Sequence, residues 1–448
     1  MKVDSRKWCT LLCALAVLAL TAARAHAILP LQHWQTASGA NVYFVENRDL
    51  PMLDVSVDFP AGSGFGSAQK SGLAALTLHL LKFGAGGLGE DDISRRLADV
   101  GAVLGGRFDT DRAGMSLRTL SSEREAALDV LARVLQQPEF PAAALEREKA
   151  RIVSALKDAD SKPESIASRA FSRLVYREHP YGLRSSGELT TVPQLVRADL
   201  AEFYRAHYVA DRAVVAIMGD VSRQQADEIA ERLTAKLPRA QAAEVALPQV
   251  LRLEHGELRV IAHPASQAHI LIGAPGIRRD DADYFPLFLG NYVLGGGGFA
   301  SRLNEEVRQK RGLAYSVYSY FSPLKQQGPF QIGLQTRKES ADEALKVVSD
   351  TLRQFIASGP TEKELKAAKD NIIGGFPMRI DSNRKIHEYL ALIGFYRLPL
   401  TYLDDFVANI EKVTAADIKS AFARRVDPDA LITVVVGGVN VTASADQN

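Results

Sequence analysis

The histidines of this 448-residue chain are few and lie far apart along it. Two imidazoles on one helix can share a zinc ion when they are four residues apart, because that spacing places both on the same helical face. None of the nine histidines has another within three to five positions, so the sequence offers no helical zinc pair. Both cysteines, Cys9 and Cys13, fall in the first 27 residues. We therefore expect the rest of the chain to lack disulfides, thiolate metal sites and thiol nucleophiles.

The elements that must position any functional side chains occur in the same order twice, which indicates an internal duplication. Each half has two strands, an apolar helix, a glycine loop, a second helix, two more strands, further helices and a closing strand. This order predicts an α+β fold of two homologous domains, each a mainly antiparallel sheet with helices packed on one face. The glycine loops lie at 84–89 and 295–298. No Gly-Lys-Ser/Thr follows the second loop, so it is not a phosphate loop, and a hinge, a substrate-approached surface and a plain turn all remain open.

Residues 1–27 have the pattern of a secretory signal. Basic residues precede an apolar run over 8–21, and Ala25-His26-Ala27 fits the small-x-small rule for a cleavage site. The run is shorter than the roughly 20 residues that span a bilayer, and no later segment is long and apolar enough to do so. We therefore expect export and cleavage after Ala27. An exported chain without cysteine favours a periplasmic location.

The duplication and a proline- and alanine-rich segment divide the remainder of the chain. We expect an N-terminal domain over 28–236, a linker over 237–252 and a C-terminal domain over 253–448. The formal net charge is +1, whereas nucleic-acid-binding proteins usually carry a strong basic excess. We therefore expect no nucleic-acid partner. Since no segment after residue 27 is long and apolar enough, we also expect no membrane span in the mature chain.

Several strings in both halves closely resemble the insulinase/pitrilysin family of zinc peptidases, which includes the mitochondrial processing peptidases and paired bacterial subunits. The most specific likeness lies in the second half, in Leu294-Gly295-Gly296, Ser301-Arg302-Leu303 and the run VRQKRGLAYS that starts at Val307. The first half contributes Gly72-Leu73-Ala74, His79-Leu80-Leu81 and His179-Pro180-Tyr181-Gly182. The resemblance covers essentially the whole mature chain, including its duplication.

The same comparison shows where this chain departs from the family pattern. The family's zinc helix carries H-x-x-E-H, in which two histidines bind the metal and the glutamate is the general base, and a glutamate downstream completes the site. On this sequence the first histidine falls on Ala75, the glutamate on Leu78 and the downstream ligand near Ala155. Only His79 is retained. We therefore expect no metal in this chain, and zinc only in a partner subunit.

Three other side chains near this motif have two interpretations each. Glu146 and Glu148 are candidate replacement ligands, and the alternative is a solvated helix face. His79 lies among leucines in a helix predicted over 72–83. We expect it to be a hydrogen-bonded interior or interface histidine rather than a ligand.

The resemblance also implies a second functional element, an arginine followed seven residues later by a tyrosine. These residues are Arg308, near the end of a helix predicted over 301–311, and Tyr315, in a strand predicted over 313–321, with Gly312 allowing the reversal between them. Together they would bind a peptide carbonyl and stabilise its oxyanion. The structural alternatives are an arginine that complements a helix dipole and a tyrosine that only packs.

Three functions are compatible with these residues. The first is a non-catalytic subunit of a periplasmic heterodimeric zinc metallopeptidase, inactive alone, whose H-x-x-E-H-bearing partner acts on a peptide substrate. The second is a peptide-binding or scaffold protein of the same fold with no role in proteolysis. The third is a self-sufficient peptidase with an unorthodox metal site. The sequence leaves the substrate, the partner and the choice between homodimer and heterodimer open.

Overall fold

The computed structural model describes residues 30–241 and 246–437. The expected signal segment and four residues of the expected linker lie outside the described residues. The strands are β1 Gln32–Gln35, β2 Asn41–Glu46, β3 Met52–Phe59, β4 Gly84–Ala85, β5 Leu88–Gly89, β6 Val103–Phe108, β7 Ala113–Leu120, β8 Val214–Gly219, β9 Glu257–Ile261, β10 Gln267–Pro275, β11 Ala314–Phe321, β12 Pro329–Arg337 and β13 Ile432–Val436.

Two large sheets, one in each half, organise these strands. The first has the order β1-β2-β8-β3-β7-β6, and the second has the order β11-β12-β10-β13-β9. All neighbours pair antiparallel except β2 with β8 and β13 with β9, which are parallel. The closing strand of each half therefore lies inside its sheet rather than at an edge. β8 reads as a continuous apolar run because it is buried along its whole length.

Helices connect and cover the strands. They are α1 Leu73–Leu80, α2 Glu90–Asp99, α3 Arg124–Gln136, α4 Ala142–Ala159, α5 Pro163–Tyr176, α6 Arg197–His207, α7 Arg223–Thr234, α8 Tyr284–Asn291, α9 Ala341–Ser358, α10 Glu362–Gly374, α11 Asn383–Tyr396, α12 Tyr402–Lys412 and α13 Ala415–Arg425. The predicted α+β class with mainly antiparallel sheets is confirmed. No helix among the described residues is both long enough and apolar enough to cross a membrane.

One helix from each half crosses to the sheet of the other half. α11 packs on β8, where Gly394 approaches Tyr43 and Val214 so closely that a Cβ would lie 2.6 Å from each. α5 packs on β10 and β13 in the same way, and Phe171 joins the cluster that contains Val434. The sequence pattern does not predict this exchange. The two halves consequently share core residues and are held together by apolar burial.

The two glycine loops form different structures. Residues 84–89 make a tight hairpin of β4 and β5, whose turn residues Gly86 and Gly87 both have positive φ. In the other loop, a π-helical turn over Tyr292–Gly296 extends α8. A Cβ on Gly295 would lie 2.4 Å from the Ser319 hydroxyl oxygen of β11. This glycine therefore permits close contact between the helix end and the strand that carries Tyr315.

Candidate functional site

His79 lies in the last turn of α1 and faces α4. Its Nε2 atom is 2.9 Å from Oε2 of Glu148 and 3.0 Å from Nη2 of Arg151. A protonated Nε2 would donate to Glu148, and an unprotonated Nε2 would accept from Arg151, so the Nε2 atom has a hydrogen-bond partner in either tautomer. The ring also contacts Phe83, with centroids 4.9 Å apart. These contacts are those of a hydrogen-bonded, partly buried histidine.

Glu148 holds the centre of this polar cluster. Its carboxylate also receives hydrogen bonds or ion pairs from Arg147 at 3.3 Å and from Arg151 at 2.7 Å. Burial works against its ionisation, but the hydrogen bonds from His79 and Arg147 and the charge of Arg151 outweigh that effect and lower its pKa. Glu146 is exposed, as a solvated helix face predicts, whereas Glu148 is buried.

The other positions aligned with the zinc motif carry no metal-binding atoms. Ala75 and Leu78 line an open cavity of about 430 Å³ beside His79. Ala155 is exposed and does not line this cavity, whereas Ile152, three residues earlier on α4, does. The structure thus places Ala75, Leu78 and His79 together and Ala155 apart from them.

These residues do not fit a zinc ion. A catalytic zinc site needs three nitrogen, sulfur or oxygen ligands from the protein, and Ala75 and Leu78 supply none. His79 and Glu148 are already bound to each other and to arginine. Among the described residues, no group of three or more His, Cys, Asp or Glu side chains is arranged to hold a metal ion.

Arg308 and Tyr315 lie together in the second half. The guanidinium carbon of Arg308 is 4.8 Å from the Tyr315 ring centroid and 4.7 Å from that of Phe299. Within the described residues no carboxylate lies within ion-pair distance of Arg308, and 83% of Tyr315 is exposed. Aromatic faces therefore hold the guanidinium by cation–π contact and leave its charge available to a ligand.

The local fold explains how two residues seven positions apart meet. The helical turn over Asn304–Gln309 is π-helical, and Gly312, at φ +62°, reverses the chain after it. The register of β11 with β12 shifts between Ala314 and Val317. Such a bulge redirects the side chains within it, and Tyr315 lies there on the outer strand of the sheet.

Arg302 anchors the start of this segment. It makes a two-pronged ion pair with Glu364, at 2.6 and 2.7 Å, and contacts the carbonyl of Gly359. Glu364 is also part of the capping box of α10 with Thr361. Burial opposes its ionisation, but the Arg302 and Thr361 hydrogen bonds prevail and lower its pKa to about 2. Arg302 is therefore a structural member of the motif.

Phe299 was not predicted as a site residue. It follows the glycine run, is 68% exposed and contacts Arg308. The sequence shows a phenylalanine directly after four glycines, but a single apolar residue in a loop is common and does not by itself indicate a site. What the sequence could not supply was the distance to Arg308.

Comparison with known proteins assigns the family. The family model described as insulinase (peptidase family M16) matches residues 43–187, and that described as peptidase M16 inactive domain matches residues 194–372. A crystal structure of a peptidase M16 inactive domain from Pseudomonas fluorescens superposes with a TM-score of 0.88 at 38% sequence identity, covering 92% of this chain and 99% of that one. The chain belongs to peptidase family M16.

Two further proteins extend the comparison. The non-peptidase homolog YmxG of Helicobacter pylori is 26% identical over 381 residues, which cover 84% of this chain and 87% of that protein. The periplasmic protease PqqL of Escherichia coli superposes with a TM-score of 0.78 at 15% identity, covering 91% of this chain and 45% of that one. The second likeness shows a shared fold alone. The family resemblance read from the sequence is thus confirmed, and of the M16 metal-binding side chains only His79 is present here.

Proposed function

We propose that this chain is the non-catalytic subunit of a heterodimeric M16 metallopeptidase, and that it supplies Arg308 and Tyr315 to a partner bearing the intact H-x-x-E-H helix. One contrast carries the proposal. The positions aligned with the metal site hold Ala75 and Leu78, whereas the arginine–tyrosine pair is assembled and accessible.

The chemistry of the pair suits peptide binding. Arg308 offers a fork of guanidinium donors and Tyr315 a phenolic donor, so both can hydrogen-bond one peptide carbonyl beside the scissile bond. When negative charge develops on that carbonyl oxygen, both bonds strengthen, which lowers the barrier to attack. The zinc ion and the water that it activates would belong to the partner.

Three observations support the assembly and its location. Residues 194–372 match the family model described as the inactive domain of a peptidase family, and an inactive domain in such a family favours an active partner. The pattern of residues 1–27 favours export. A periplasmic protease has the same fold.

The decisive experiment is co-purification of the tagged chain from its host, identification of what accompanies it, and a peptidase assay with and without a chelator. We expect an H-x-x-E-H-bearing partner, chelator-sensitive cleavage by the mixture, and none by the chain alone. Arg308→Ala and Tyr315→Phe should each lower turnover by about tenfold to a hundredfold without preventing assembly. Arg205→Ala, at an exposed residue of α6, and Tyr318→Phe, on the same strand, are the matched controls.

The outcome separates the alternatives. Each site variant is mixed with the partner separately. Full activity in both mixtures would refute the role of the pair and favour a scaffold of the same fold. Stoichiometric zinc with chelator-sensitive cleavage by the chain alone would instead establish a self-sufficient peptidase and overturn the proposal.

A further inference from the structure

The cavity beside His79 is suited to binding a ligand other than a metal ion. Its lining is mostly apolar, contributed by α1, by β6 and β7 of the first sheet, and by α4. The apolar members are Ala75, Leu76, Leu78, Phe108, Met115 and Ile152. A volume of about 430 Å³ lies within the roughly 300–1,000 Å³ of small-ligand pockets. The cavity can therefore accept a large apolar group.

Two exposed cations, Lys82 and Arg151, also line the cavity, and no carboxylate does. Arg151 is paired with Glu148, and the described residues show no ion pair for Lys82. Nearby, Arg147 is shared between Glu90 and Glu148. Lys82 is thus an excess positive charge beside an apolar cavity, and the complementary ligand combines an apolar group with one carboxylate.

We propose that this cavity binds the carboxyl-terminal residue of a peptide when that residue is apolar, with its side chain among the apolar lining and its carboxylate near Lys82. A peptide fits better than a fatty acid because β6, which contributes Gly106 and Phe108 to the lining, is the outer strand of its sheet. An outer strand presents backbone donors and acceptors that an extended peptide can use and an alkyl chain cannot.

Two variants that fill the cavity test where the ligand binds. Ala75→Leu adds a leucine side chain from α1, and the matched control Ala155→Leu makes the same change on α4 outside the cavity. Gly106→Val fills it from β6, where a Cβ would make ordinary contacts of 3.6 Å with Leu78 and 4.0 Å with Met115. Because the two filling variants lie on different elements, a folding defect in one leaves the other to decide.

The binding assay uses the mature chain alone, so its result does not depend on the proposed partner. The probe is a fluorescein-labelled Gly-Ser-Gly-Ser-Gly-Leu peptide, followed by fluorescence anisotropy. We expect this free-acid peptide to bind at least about tenfold more tightly than either of two control peptides. One control is the same peptide amidated at its C-terminus, and the other ends in alanine instead of leucine. Ala75→Leu and Gly106→Val should abolish binding, and Ala155→Leu should leave it unchanged.

The charge is tested separately. Lys82→Gln should weaken binding of the free acid about tenfold and leave the amide unaffected, whereas Lys157→Gln, at an exposed lysine of α4, should change neither. Equal binding of acid and amide, or unchanged binding to both filling variants, would overturn the proposal. So would binding of decanoate with no binding of the peptide, because the occupant would then be a fatty acid.

Discussion

The guanidinium carbon of Arg308 lies 4.8 Å from the centroid of the Tyr315 ring. The same group lies 4.7 Å from the Phe299 ring, so aromatic contacts rather than an ion pair hold it. An arginine held by carboxylates would have its charge neutralised, whereas aromatic faces orient the guanidinium and leave its donors usable. This arrangement makes Phe299 a positioning residue for the proposed substrate-binding pair.

The first prediction concerns that positioning. Phe299→Ala should lower the activity of the reconstituted mixture about twofold to fivefold, since an exposed cation–π contact is worth roughly 0.5–1 kcal/mol. Phe299→Tyr should retain activity because the ring face is preserved. Phe299 is largely exposed, so thermal unfolding should be unchanged in both variants. Loss of activity in the tyrosine variant, or a lower melting temperature in the alanine variant, would indicate a different role.

The second prediction concerns zinc. The wild-type chain is dialysed against zinc and then against zinc-free buffer. Elemental mass spectrometry should then find far less than one zinc ion per chain. Ala75→His places a second imidazole one turn from His79, but Arg151 lies 3.0 Å from the Nε2 atom that would bind the metal. The double variant Ala75→His with Arg151→Ala should therefore bind zinc more tightly than Ala75→His alone, with Glu148 as third ligand.

The control for this experiment is Ala155→His, which adds an imidazole at an exposed position outside the cavity. It should leave zinc retention at the wild-type level. Stoichiometric retention by the wild-type chain would show that the ligand set described for this region is incomplete.

The sequence was most informative where residues act locally. The strand patterns of the sequence predict strands over 41–46, 103–108 and 113–120, which are the bounds of β2, β6 and β7. In β7, buried and less buried side chains alternate over part of the strand, as the two faces of a sheet require. The family resemblance implied Arg308 and Tyr315, seven residues apart across Gly312, and the structure brings these two side chains together. In both cases the interacting groups lie within a few residues of one another.

The sequence was least informative where the partner of an element lies in the other half. The apolar face of α11 indicates that the helix is buried, but not that it packs on β8 rather than on its own sheet. The sequence favours a solvated side chain at Glu148, because its partner His79 lies on a different helix. The cavity at Ala75 also depends on residues from α4 and β6, which no local pattern brings together.

The third prediction follows from a buried histidine of the crossing helix. His387 on α11 is bonded at Nε2 to the carbonyl oxygen of Ala216 on β8, at 3.2 Å. Burial, with a contribution from the charges of Arg107 and Arg118, lowers its pKa to about 3. The unfolded chain, with an ordinary histidine pKa near 6.5, therefore binds a proton that the folded chain does not between these two values.

The stability that neutral His387 provides is thus complete above about pH 6.5 and is lost as the pH falls toward 3. His387→Gln keeps an amide donor for Ala216 and does not titrate, so its free energy of unfolding should fall less between pH 7 and pH 5 than that of the wild type. Urea unfolding at both pH values measures this difference. The exposed His255→Gln should follow the wild type, and equal pH dependence in all three proteins would contradict the assignment.

The fourth prediction concerns Asp111, a buried carboxylate that joins the two halves. It accepts hydrogen bonds from the Tyr181 hydroxyl in the first half, and from the Tyr396 hydroxyl and the Lys325 backbone N–H in the second, the latter two at 2.9 and 2.7 Å. Burial raises its pKa, although all three hydrogen bonds oppose that effect.

Asp111→Ala would remove the carboxylate that accepts from the Tyr181 and Tyr396 hydroxyls and from one backbone N–H, so we expect the free energy of unfolding to fall by about 2–3 kcal/mol. Asp111→Asn keeps one carbonyl acceptor and should lose less. Asp350→Ala, at an exposed residue that forms an ion pair with Lys346 of the same helix, should change stability by about 0.5 kcal/mol or less. Urea unfolding measures all three. A loss in Asp111→Ala no larger than in Asp350→Ala would mean that Asp111 does not help to hold the halves together.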